Sequence, residues 1–152
     1  MLVITELDML YQEAYDNNIV VVNAHFSQTK KAACLCGESN NIVLDVPKMD
    51  SSVEECEKLA HELTHIKSGS LYFITATMNT PLESANRQKH EANTTRETTL
   101  ALLPYEKLQR AIYEEGFDYW RIAEYCGRTV KFVQTAFEIY ENMGIRFDIP
   151  EY

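Results

Sequence analysis

The stretch KLAHELTHIK, residues 58–67, sets His61 and His65 four positions apart with Glu62 directly after the first. On a helix, residues i and i+4 project from one side about one turn apart. Two imidazole nitrogens at that spacing can converge on one ion, and zinc takes such nitrogens at about 2.0–2.1 Å. Glu62 is displaced sideways, where it can reach a water beside the ion without binding the ion itself, as a general base must. At 100° per residue Val53, Cys56, Leu59, Ala60, Leu63 and Ile66 fall on the opposite side. The predicted helix therefore has an apolar back and a histidine-bearing front.

This is the H-E-x-x-H pattern of metallopeptidases; the plain alternative is a solvated pair of surface histidines. A third ligand decides between them. Candidates are the carboxylates, His25 and His90 on other elements. RQKHEANTTRETTLALLP places Glu91 early in a second predicted helix, 26 positions after His65, far enough for the chain to turn back and face the first. The alternative for Glu91 is a carboxylate favoured near a helix start by the dipole. Cys34 and Cys36 form a C-x-C pair that could ligate a soft metal, although packing of small apolar side chains in a strand accounts for them as well.

The elements that must position these residues follow from periodicity. TELDMLYQEAYD, residues 5–16, spaces Leu7, Leu10, Tyr11 and Ala14 helically behind a capping Thr5. IVVVNA, KAACLC and NIVLDV then read as three strands, the last two joined through GESNN as a hairpin, and together they predict a small antiparallel sheet. Pro47 ends the third strand, and Ser52 with Glu55 stands at capping-box spacing before the helix that carries HELTH. KSGSLYFITATMNTPLES reads as an irregular connection with one short strand around LYFITA. Helical character returns from Ala85 to Leu103. Three further helices follow, PYEKLQRAIYEEG, DYWRIAEYCG and TVKFVQTAFEIYENMG.

The chain has 152 residues, a formal charge of -9 and 45% hydrophobic positions. That suffices for one real core, and the acidity argues against nucleic acid or an anionic membrane as the principal partner, since both need a basic footprint. The opening MLVITELDMLYQ lacks the basic start of a secretion signal and no run approaches a membrane span, so a cytoplasmic location is expected.

HELTH, then QKHE with Pro104 thirteen residues after Glu91, then WRIAEYCGRTVKFVQTAFEIY together resemble the ImmA/IrrE family of metallo-endopeptidases, in particular the short forms carried by phages and integrative elements of Gram-positive bacteria. The resemblance implies His61, His65 and Glu91 as ligands of Zn2+ and Glu62 as the catalytic base. It implies an α+β frame: a small zincin-like metallopeptidase domain over residues 1–104, with a three-stranded antiparallel sheet and the HExxH helix, and a helical extension over 105–152 packed on it. It also implies a cytoplasmic protease whose substrate is a helix-turn-helix repressor of the mobile element. Thr64 stands where many relatives carry glycine, and Thr94 and Thr95 stand where an acid that orients a histidine is expected. Tyr72, His25 and His90 are the candidates for stabilising an oxyanion, and a substrate could add as a strand along the sheet edge.

Two other functions compete with this one. Ala123, Gly127 and Val133 have helix-turn-helix offsets, which would suit a DNA-binding regulator. Within residues 105–144, however, Lys107, Arg110, Arg121, Arg128 and Lys131 are outnumbered by Glu106, Glu114, Glu115, Asp118, Glu124, Glu138 and Glu141. The second is a non-proteolytic regulator that binds the repressor through its C-terminal helices.

Overall fold

Thr5 starts the first helix, α1 (Glu6–Asp16), by a reciprocal pair of bonds: its hydroxyl accepts from the Asp8 amide at 3.1 Å, and the Asp8 carboxylate accepts from the Thr5 amide at 2.9 Å. The backbone bond from Thr5, and then its hydroxyl, hold Asp8 below the usual carboxylate range. The computed structural model describes residues 3–25, 33–36, 41–68 and 81–151, with the side chains of residues 33–36 and 83 outside that description. Contacts divide the chain into two units, residues 1–94 and 95–152, and the division falls inside a helix.

In the first unit three short strands form one sheet: β1 (Val20–Asn23), β2 (Ala33–Cys36) and β3 (Asn41–Leu44). The spatial order is β1-β3-β2. β1 runs parallel to β3, Val20 facing Asn41 and Asn23 facing Leu44. β2 is antiparallel to β3, Cys36 facing Asn41. The expected α+β frame with a three-stranded antiparallel sheet is thus overturned. The described chain is mostly helical, with six α-helices, and the sheet contains a parallel pair. The physical reason is β1, which passes over its neighbour in sequence to pair with β3.

The second helix, α2 (Ser52–Ser68), is capped one residue earlier than expected. Glu54 N–H donates to Ser51 Oγ at 3.3 Å, and the Glu54 carboxylate accepts from the Asp50 amide at 3.0 Å. That leaves Glu55 for another role: it accepts the Tyr11 hydroxyl at 2.6 Å and ties α1 to α2. Burial first, and then the Glu55 contact, push the Tyr11 hydroxyl above its ordinary range. A second tie between these helices pairs Lys67 with Glu13. Leu59 and Leu63 are buried with Ala14, Ile19, Ile42 and Leu44 in the core of this unit. A fully buried leucine contributes about 1.5–3 kcal/mol, so these two dictate which side of α2 is left for His61 and His65.

The third helix, α3 (Pro81–Leu102), begins four residues before Ala85, with Pro81 at its first position, where a missing amide costs nothing. The second unit continues with α4 (Tyr105–Glu115), α5 (Tyr119–Cys126) and α6 (Val130–Asn142). Pro104 is the cap residue of α4, and Gly116 ends that helix at φ +78°, which L side chains rarely adopt. The Asp118 carboxylate caps α5 by accepting from the Trp120 and Arg121 amides. Ile112, Ile122 and Val133 meet in the core of this unit.

The segment after α6 folds back within the second unit. Phe147 stacks on Tyr105 at 4.9 Å between ring centres, and the Gln109 carboxamide bonds both backbone groups of Asp148 at 2.8 Å each. Beneath it the Tyr140 hydroxyl donates to the Leu103 carbonyl at 2.9 Å. Tyr140→Phe should therefore lower stability by about 1–2 kcal/mol, because it strips a buried carbonyl of its donor; a shift in the midpoint of denaturant unfolding reads it. Among the described residues no helix is long and apolar enough to cross a membrane.

Candidate metal centre

His61 and His65 share the side of α2 that its buried leucines leave open, and Glu91 on α3 meets them. His65 Nε2 lies 2.9 Å from Glu91 Oε1, His61 Nε2 lies 3.1 Å from Glu91 Oε2, and the two Nε2 atoms are 3.1 Å apart. The rings stand edge to face, 82° between planes, so both present the same nitrogen to one point. Among the described residues these three form the one group of histidine, cysteine and acidic side chains able to hold an ion. The His65 side chain is 6% exposed and His61 24%, against 55% for Glu91, so the cluster is closed behind His65 and open at the carboxylate.

The donor set could hold a divalent metal ion such as zinc. Tetrahedral ligands about 2.0–2.1 Å from a common ion lie about 3.3 Å from one another; the two Nε2 atoms are 3.1 Å apart, and each meets a different oxygen of Glu91. Two imidazoles and one carboxylate leave a coordination position for water or substrate. Hydrogen bonds to His61 first, and then to His65, hold the Glu91 carboxyl well below the usual carboxylate range, so it is an anion ready to ligate. Its bland reading as a carboxylate at a helix start also fails on position, because Glu91 stands at the eleventh residue of α3 rather than in its first turn.

The remaining expected residues divide clearly. Glu62 is buried beside His61 in sequence, about 100° further around α2. Thr64, in place of glycine, donates its hydroxyl to the Ala60 carbonyl at 2.8 Å, a bond that suits a helix interior. His25 pairs through Nδ1 with the buried Asp45 carboxylate at 3.1 Å, which Lys48 also approaches at 3.3 Å. It is not one of the three clustered residues, and neither is His90, which is half-buried. Tyr72, the LYFITA strand and the Cys34 and Cys36 side chains lie outside the described residues. The residue that sequence reasoning did not choose is Thr94, whose hydroxyl lies 3.2 Å from His65 Nδ1. Its signal was the spacing of three from Glu91, which Thr95, at four, shares almost equally.

In the second unit α5 and α6 are joined by Gly127, Arg128 and Thr129, with Gly127 left-handed and Thr129 capping α6 through Phe132 N. Ala123 and Val133 are buried, so the helix-turn-helix offsets correspond to a real turn. Arg128, however, is 5% exposed and donates to the Leu102 and Gly127 carbonyls, which removes one of the few bases from any phosphate contact. Comparison with protein-family models, curated proteins and solved structures finds no match.

Proposed function

We propose that this chain is a zinc-dependent endopeptidase of the ImmA/IrrE kind that cuts a helix-turn-helix repressor in the cytoplasm, with His61, His65 and Glu91 as ligands and Glu62 as the base. The observation that carries this reading is the convergence of two imidazole nitrogens and a carboxylate from two helices, with ligand atoms within 4.8 Å of one another. The HExxH spacing, which by itself is a short motif, acquires its third partner at Glu91, where the resemblance requires it.

Zinc held there would supply Lewis-acid polarisation of a peptide carbonyl and acidify a water. The chain's own contribution lies in its protein groups. Glu62 takes a proton from the attacking water on a carboxylate oxygen and then delivers it to the leaving amine nitrogen. Its burial shields that carboxylate from bulk solvent. His61 and His65 keep their Nε2 atoms fixed because the apolar back of α2 is anchored in the core.

The experiment is direct. The zinc-loaded full chain is incubated with the repressor encoded beside its gene, and the products are read by mass spectrometry. Two discrete repressor fragments that vanish with a chelator are expected. An intact repressor after prolonged incubation with the loaded protein would reject the protease reading, and repressor release without cleavage would put stoichiometric binding in its place.

A further inference from the structure

Resting on that metal-site reading, we propose that Thr94 is the positioning residue for His65, its hydroxyl holding the ring nitrogen that does not face Glu91. A metal-bound imidazole is oriented by what its other ring nitrogen bonds. Here that nitrogen is His65 Nδ1, and Thr94 Oγ1 stands 3.2 Å from it. The opposite nitrogen, Nε2, is the one that faces Glu91 at 2.9 Å. Ring orientation and ligand atom are thus set from two sides.

The surroundings make this bond effective. Thr94 is 1% exposed and the His65 side chain 6%, so water does not compete for Nδ1. Thr94 lies one helical turn after Glu91, so a single element, α3, delivers both the carboxylate that meets Nε2 and the hydroxyl that meets Nδ1. A hydroxyl both donates and accepts. It therefore remains a partner for Nδ1 whichever ring nitrogen carries the hydrogen, whereas a carboxylate would only accept. A neutral partner also lends the imidazole less electron density than a carboxylate would, so binding at this site is weaker and more readily reversed than at one with an acidic partner.

The test is a set of three full-length proteins, wild type, Thr94→Val and Thr94→Ser, titrated with zinc against a chromophoric chelator. Valine matches threonine in shape and removes the hydroxyl, so zinc affinity is expected to fall about 10–100-fold, and serine should restore most of it. Melting in chelator separates a folding defect from a binding one. In the zinc-loaded proteins, imidazole nitrogen shifts should report a hydrogen on His65 Nδ1 in wild type and Thr94→Ser, and a disturbed His65 environment in Thr94→Val. Wild-type zinc affinity together with unchanged His65 shifts in Thr94→Val would overturn the role of Thr94 alone. A wild type that takes up no zinc would overturn both this inference and the metal reading beneath it.

Discussion

Glu62→Gln protein should retain zinc at wild-type stoichiometry and lose cleavage of its repressor by about 10²–10⁴-fold, the usual contribution of a positioned general base. Glutamine keeps the size and most of the polarity of the side chain, so neither the fold nor the three clustered ligands should respond. What disappears is the basic oxygen that accepts the proton. The decisive comparison pairs the cleavage rate with metal content measured on the same sample. A variant that is both metal-replete and fully active would remove Glu62 from the chemistry. Derepression by an inactive, metal-replete variant would instead favour binding over cutting.

Glu91→Ala should have the opposite profile. Glu91 is 55% exposed, so its bonds to the histidines add little to the stability of the metal-free protein, and melting in chelator should change only slightly. Zinc affinity should fall by more than about 100-fold, because even the loss of an outer partner costs about 10–100-fold. The contrast appears on adding metal: zinc at a thousand times its wild-type dissociation constant should stabilise the wild type by about 4 kcal/mol and the variant by less than about 1.4 kcal/mol. Equal stabilisation of both proteins would mean that zinc is held elsewhere.

The candidate site was more legible than the frame around it. HELTH carries its own geometry, since a helix turns i and i+4 to one side whatever surrounds it, and the leucines at 59 and 63 dictate which side is outward. Glu91 was one candidate among the carboxylates, His25 and His90, singled out by its place on a second helix and by the family resemblance. Choosing Thr94 over Thr95 was not, because positions three and four after Glu91 are both its neighbours on a helix. The cap of α2 was misplaced by one residue, as Ser51 and Ser52 are adjacent and chemically alike; the structure selects Ser51 and leaves Glu55 to Tyr11. The sheet failed for a different reason. Consecutive strands pair about two-thirds of the time, and nothing local in VVVN states that it will run parallel to a strand two places later.

The β1-β3-β2 order also dictates a sequence of assembly. Cys36 and Asn41 are close in the chain, whereas Val20 must close over 21 residues to reach the same Asn41. That difference in loop length costs roughly 1 kcal/mol of closure entropy. The β2–β3 pair can zip first, and β1 can join only a strand already in place. Opening should retrace that path, so β1 frays before the β2–β3 pair.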